Sequence, residues 1–399
     1  MSNVFWIGLV SFFADLSTEM VYPLIPLYLT ASFGATPALI GVIEGIAECL
    51  ASLLRVFGGY VSDRWQRKKP IAFLGYAAGL VYKLVLLVAS SWAGVLAARM
   101  IDRFGKGVRT APRDVLVSES SDAGQLGRSF GLHKALDMAG SATGILVAFF
   151  IMAAGQGEYA FRRLFLLSAI PAIVSLLMFA FVRETRRPRD PRAPLHVLRE
   201  LRSLDPRLRL YLGVVFLFTL GNSSNAFLLL RAGSVGFAPA AVVLLYFGYN
   251  AISSLLAWPL GRRSDRVGRK RVLVAGYLTF AIVYAGFAWG GNRGVIVAAF
   301  ALYGVFTALT AGVERAFIAE IAPTELKGTL LGLHSTVVGI ALLPASVIAG
   351  LLWNAFGPVV PFSFGAGLSL AAALILALGL PPGGRERLSA RSPSGTRPL

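Results

Sequence analysis

Read only for apolar and polar positions, the chain is a series of apolar runs of about 20 residues, the length that crosses a bilayer as a helix. Short polar stretches separate them. Twelve runs fit, at 4–30, 37–59, 71–90, 93–117, 128–153, 163–182, 209–231, 238–260, 272–290, 294–319, 328–353 and 359–380. The alternation of barrel strands is missing, and Gly and Ala are dense inside the runs, as helix packing in lipid favours. Gly131, Gly140 and Gly144 on the fifth run, and Gly365 and Gly367 on the twelfth, read as packing positions.

The two halves of the chain repeat each other. Gly59-x-x-x-Asp63-Arg64, followed by Arg67, Lys68 and Lys69, returns as Gly261-x-x-x-Asp265-Arg266, followed by Gly268, Arg269, Lys270 and Arg271. Gly131-Leu132-His133 returns as Gly332-Leu333-His334. A repeat fixes architecture before anything else does. The expected fold is an all-α integral membrane protein, with twelve transmembrane helices in two six-helix pseudo-symmetric bundles. The bundles should span 1–182 and 209–380, joined by a basic linker at 183–208, with a disordered tail at 381–399. The linker holds Pro188, Pro191, Pro194 and Pro206 and is too polar to span. Its Leu195–Leu204 stretch reads as an amphipathic surface helix or as solvated chain. Each Asp-Arg stretch falls between two apolar runs and is expected to be a short loop.

Composition agrees with the runs. Of 399 residues, 56% are apolar and only 15% charged, where a soluble domain carries about 25% charged. Met1-Ser2-Asn3 lacks the cationic start of a signal peptide, so the first run should stay as a helix. The one cysteine, Cys49, sits in an apolar run and is expected to be a buried thiol. The net charge of +18 could point to nucleic acid, but its distribution points to a bilayer instead. With an even number of spans, 25 Lys and Arg fall on one side, and only Arg162, Arg163, Arg231 and Arg293 on the other. This positive-inside bias places both termini in the cytoplasm of a multi-pass plasma-membrane (inner-membrane) protein.

Charges inside the runs change the picture most. The first half carries Asp15, Glu19, Glu44, Glu48 and Lys83. Its fourth run carries Arg99, Asp102, Arg103, Lys106, Arg109, Arg113 and Asp114, and its fifth His133, Lys134 and Asp137. The second half offers mainly Asn222, Asn225 and Asn250, with Glu314, Arg315 and His334 toward helix ends. A charge at the bilayer centre costs roughly 2.5–3.5 kcal/mol, so these side chains face protein or water. Asp15/Glu19 and Glu44/Glu48 each share one helix face, and Asp15 and Glu48 lie about 16 Å from a helix end, near the midplane. Positions 99, 102, 103, 106, 109 and 113 form a single stripe, expected to line a central cavity. A lattice of structural ion pairs is the competing reading. The helix-end residues Arg113, Asp114, Glu314 and Arg315 read as braces for the loops of Asp63–Arg64 and Asp265–Arg266.

The duplicated stretch resembles the loop signature of the major facilitator superfamily, G-x-x-x-D-R-x-G-R-K/R, from Asn3 to about Pro381; Gln66 replaces the usual glycine in the first copy, and Gly268 matches in the second. Arg99, Gly105 and Gly107 match that family's fourth-helix pattern R-x-x-x-G-x-G-x-G, with Arg103 at the first glycine. In relatives that arginine is associated with proton coupling. Gly131, Gly140 and Gly144 match half of an exporter motif whose proline is replaced by Ile145, which favours export only slightly.

The resemblance and the charges together imply a proton-coupled secondary active transporter working by alternating access, with Asp15, Glu19, Glu44, Glu48 and Asp102 as the candidate proton carriers. The substrate is expected to be a small organic solute, anionic if Arg99, Arg103, Lys106 and Arg109 meet it. The alternatives are efflux of cationic amphiphilic drugs, held by the acids with Tyr22, Tyr28 and Tyr249 as walls, and a non-transporting membrane sensor. No phosphate-binding loop, metal triad or nucleophile–base pair stands out, and the histidines are scattered; the expectation is no enzyme, no cofactor, no metal, no nucleic acid, and a monomer in the lipid bilayer.

Overall fold

The computed structural model describes residues 2–65, 67–121, 126–155, 157–184, 206–310, 312–321 and 327–380. The side chains of Asp63, Arg64 and Arg315, most of the linker and the 381–399 tail lie outside the described residues. The helices are α1 (Ser2–Val21), α2 (Ile25–Phe33), α3 (Pro37–Trp65), α4 (Lys68–Val88), α5 (Trp92–Glu119), α6 (Leu126–Ala154) and α7 (Gly157–Met178) in the first half. The second half holds α8 (Pro206–Gly221), α9 (Ala226–Ser234), α10 (Pro239–Val267), α11 (Arg269–Trp289), α12 (Arg293–Thr310), α13 (Val313–Ile321), α14 (Lys327–Phe356) and α15 (Val359–Gly379).

These fifteen helices make twelve spans, because the first, seventh and tenth are each built from two. Pro23 and Pro26 interrupt the first, where a 3-10 turn over Tyr22–Leu24 separates α1 from α2; proline removes a backbone donor and crowds the preceding turn. In the seventh, residues 222–225 break the helix, and the Ser224 hydroxyl accepts from the Ala226 amide at the start of α9. Neither interruption was expected from the apolar runs. Among the described residues, eleven helical stretches are long and apolar enough to cross a membrane. The missing one is α5, whose charges hide it from hydropathy although it packs as a span.

The helices overrun the expected boundaries at one end of the bundle. The first Asp-Arg stretch was expected to be a loop, yet α3 remains helical to Trp65 and α10 to Val267. The second connection is a single residue, Gly268, at φ 100°, a conformation that a side chain would strain. We call this the loop end, and the opposite end the far end.

In the first half, α1 packs on α6 and α7, α4 on α5 and α7, and α3 on α5; in the second, α11 packs on α12 and α15, α10 on α12, and α8 on α14 and α15. Small residues make the closest crossings possible. A Cβ on Gly140 would sit 2.2 Å from the Phe12 carbonyl, and one on Gly144 2.3 Å from that of Leu16, so α6 lies directly on α1. Gly365 is held likewise against Gly221. Gly367 is not a packing position: nothing lies within 4 Å of where its Cβ would be. Large apolar side chains such as Val88, Leu255 and Leu378 are exposed on the outside, as lipid contact demands.

The repeat is visible in the packing. Ser11 Oγ lies 2.9 Å from His133 Nε2 and 3.0 Å from the Tyr76 hydroxyl. At the matching place in the second half, His334 Nε2 lies 3.8 Å from Glu314, to which the Tyr277 hydroxyl donates at 3.4 Å. Both histidines are buried.

The halves meet along α3 against α14 and α6 against α10. At the far end the first contact is close: a Cβ on Gly350 would lie 2.6 Å from the Pro37 carbonyl, and one on Gly41 2.2 Å from that of Ser346. The Ala38 amide donates to Asn354 Oδ1 at 3.3 Å. The same seam continues to Ser52 and Gly339, roughly 22 Å further along α3. The far end is therefore closed.

Candidate functional site

Where the halves meet, α1, α3 and α5 bring a dense set of charges together. Arg99 is fully buried and grips Glu44 with two nitrogens: Nε donates to Oε1 at 3.0 Å, and Nη2 to Oε1 and Oε2 at 2.7 and 2.6 Å. This forked pairing is the strongest geometry open to an arginine and a carboxylate. Ser224, in the break of the seventh span, donates to Glu44 Oε2 at 3.3 Å from the other half. One turn along α5, Arg103 Nη2 pairs with Glu48 at 2.8 Å. The carboxylate of Asp102 lies 3.5 Å from both guanidinium groups. Tyr22, freed from the helix by the proline break, has its ring beneath both, at 5.2 Å from Arg99 Cζ and 5.4 Å from Arg103 Cζ.

Two turns further, Arg109 Nη2 lies 3.6 Å from Asp15, with its guanidinium over the Tyr76 ring. Asp15 also lies within electrostatic reach of Asp137 of α6. Asp137 is held in turn by Lys134 at 2.7 Å, with Arg113 at 4.0 Å.

The stripe on α5 does not line one cavity as expected. Arg99, Asp102, Arg103 and Arg109 are buried within the first half, and Lys106 alone of these five is exposed. Lys106 stands midway along α5, within electrostatic reach of Glu48, Asp15 and Glu19. It makes no ion pair within 4 Å among the described residues. Glu19 and the buried Lys83 are likewise without an ion pair there; Glu19 accepts from the Tyr246 hydroxyl of the opposite half at 3.1 Å. The cluster thus holds five bases (Lys83, Arg99, Arg103, Lys106, Arg109) and five acids (Asp15, Glu19, Glu44, Glu48, Asp102).

The second half faces this cluster with neutral groups. Tyr303 donates to Asn225 Oδ1 at 2.7 Å, and Asn225 Nδ2 donates to the Tyr249 hydroxyl at 3.2 Å. Tyr246 packs on Tyr22 at 5.9 Å and on Tyr249 at 5.1 Å between ring centroids. Asn222 is half-buried beside them. Asn250 turns back to the Tyr246 carbonyl at 2.8 Å. Tyr28 is not a cavity wall: it is fully buried against Phe161 and Phe165 of α7.

The gating positions that are described pair inside their own half. Asp265 is exposed and bonds Arg269 one turn on at 3.1 Å, Arg266 is exposed, Arg113 bonds Asp114 at 3.0 Å, and Glu314 meets Tyr277 and His334.

Sequence reasoning passed over Lys83, Ser224, Tyr246 and Tyr303 as site residues. Lys83 is buried, with Nζ 3.4 Å from Thr18 Oγ1 and 4.6 Å from the Tyr82 ring centre; a lysine inside an apolar run was a legible signal. Ser224 lies between two asparagines already noted. Nothing in the sequence marked Tyr246 or Tyr303, since tyrosines are common in spans.

Two pseudo-symmetric six-helix bundles with a dense cluster of charges where they meet are the architecture of a membrane transport protein. The chain belongs to the Major Facilitator Superfamily, whose sequence profile matches residues 7–230 and 210–398. It is a member of a transporter family, not an enzyme. It is 35% identical over 381 residues, covering 94% of each chain, to an MFS-type transporter of Methanocaldococcus jannaschii whose name carries no substrate. Its fold is shared with the nucleoside transporter NupG, at a TM-score of 0.80 and 13% identity over 94% of this chain and 99% of that one. A D-xylose-proton symporter aligns at a TM-score of 0.76 and 19% identity, over 95% and 98%.

Proposed function

We propose that the chain is a secondary active transporter, moving a small organic solute by alternating access between bundles 1–182 and 209–380 and coupled to protons. The observation that carries this reading is Lys106. It is a charged side chain at mid-span, exposed to solvent and facing acids, in a molecule closed at the far end. A lysine at that depth costs roughly 2.5–3.5 kcal/mol in lipid, so the space it faces is a polar cavity entering the bilayer, and transporter sites lie at that depth between repeats. Asp15 and Asp137, within electrostatic reach of each other, are the acids assigned to the proton in this reading. The likeness in fold to a proton symporter supports the same coupling.

Proteoliposomes holding a pH-sensitive dye test the reading. Addition of the transported solute from a panel of sugars, nucleosides, amino acids and organic ions is expected to move protons with it. A folded, correctly inserted protein that moves neither solute nor proton for any of them would overturn it.

The charge bias supports cytoplasmic termini, with the loop end facing the cytoplasm. A reporter fused after Leu380 is expected to be active only in a form that works inside the cell; activity only outside would reverse the orientation.

A further inference from the structure

We infer that the site selects a zwitterion: a solute carrying one ammonium and one carboxylate, with an apolar or aromatic body. The inference rests on the transporter reading above and narrows its substrate. It departs from both expectations drawn from the sequence, an anion held by the arginines of α5 and a cation held by the acids of α1 and α3.

The ion pairs exclude those two. Arg99 is paired with Glu44, Arg103 with Glu48 and Asp102, and Arg109 with Asp15 and the face of Tyr76, while Arg99 Nη1 and Arg103 Nε are buried without a hydrogen-bond partner. An anion binding any of them would have to displace a carboxylate that is already paired, buried in the case of Glu44 and Asp102 and part-exposed in the case of Glu48 and Asp15, leaving that carboxylate uncompensated. A cation binding Glu44, Glu48 or Asp15 would meet the same obstacle in reverse. After these pairs are made, the remaining accessible charges are Lys106, exposed, and Glu19, half-buried and bonded only to the neutral Tyr246. Lys106 is the charge that Glu19 feels most, yet the two are not within ion-pair distance. They are a cation and an anion within electrostatic reach of each other but beyond ion-pair distance.

In this arrangement a zwitterion's carboxylate meets Lys106 and its ammonium meets Glu19. The ammonium also gains the rings of Tyr22 and Tyr246, which pack on each other beside Glu19, as a cation near aromatic faces does. Those rings and Tyr249 offer an apolar surface to the solute's body.

The test uses three probes with one skeleton on the purified full-length protein: L-phenylalanine (zwitterion), phenethylamine (cation) and 3-phenylpropionate (anion), with melting temperature and calorimetric affinity as readouts. L-phenylalanine is expected to bind at least tenfold more tightly than either relative. Lys106→Gln should shift the preference to phenethylamine, and Glu19→Gln to 3-phenylpropionate. Neither residue is in an ion pair, so both variants are expected to fold. Equal or tighter binding of a singly charged probe to the parent protein, no binding of the zwitterion, or an unchanged order in the two variants would each overturn the inference. Solute-driven proton flux in the dye-loaded vesicles is read separately, so a transporter with a different substrate charge is distinguishable from a protein that does not transport.

Discussion

Arg99→Gln is expected to be the most destabilising single change in the charged cluster. The guanidinium is fully buried and supplies three short hydrogen bonds to Glu44. Removing it leaves a carboxylate at the junction of the halves with only the Ser224 hydroxyl, and breaking a buried pair from one side costs about 3–5 kcal/mol. Glu44→Gln alone strands the guanidinium and should be similarly harmful. The double variant Arg99→Gln/Glu44→Gln removes both charges and is expected to recover most of the loss, a coupling that a double-mutant cycle reads directly. Unfolding of the purified protein in detergent measures all three. An Arg99→Gln protein as stable as the parent would mean that water reaches and solvates this pair. Transport should fail in the double variant even where stability returns, because the contact between Glu44 and Ser224 joins the two halves.

The second large effect concerns coupling. Asp15 of α1 and Asp137 of α6 act on each other electrostatically, and this pair is the proton site of the proposed coupling. Glu44 and Glu48 are each committed to an arginine. The carboxyls of the pair have cations on either side: Arg109 at 3.6 Å from Asp15, and Lys134 at 2.7 Å from Asp137. A shift of α1 against α6 would separate the carboxyls, leave each to its own cation and release the proton. Asp15→Asn imitates the protonated state permanently. It is expected to leave the protein folded and able to exchange solute down a gradient. Accumulation driven by a pH gradient should be lost, and flux should lose its dependence on pH. Asp137→Asn should uncouple in the same way but also melt lower, since it frees Lys134 and Arg113. Counterflow measured beside pH-driven uptake separates the outcomes. Full accumulation by both variants would move the proton site elsewhere, to Glu19 first.

Much of the fold was written in the order of residues. Spans of about 20 apolar residues have few alternatives in a bilayer, and the repeated Asp-Arg stretch and Gly-Leu-His triplet set two similar halves. The charges of α5 revealed the location of the site even as they hid the span from hydropathy. The helical continuation through Trp65 and Val267 was not legible. Polar residues at a membrane surface are compatible with both loop and helix, and only the neighbouring helix ends decide between them.

Of the site, the sequence determined which residue types are available and which helix faces carry them, because a 3.6-residue period fixes what shares a face. Pairing was beyond it. That Arg99 takes Glu44, Arg103 takes Glu48 and Arg109 takes Asp15 depends on how α1, α3 and α5 cross. Those crossings are set by close approaches such as Gly107 of α5 against Leu54 of α3. The stripe at 99–113 looks uniform along one helix. Only the packed bundle turns four of its members into buried pairs and leaves Lys106 facing water. The contacts of Ser224 with Glu44 and of Tyr246 with Glu19 join residues 180 and 227 positions apart. No local pattern records such a contact, since it exists only when the two halves meet.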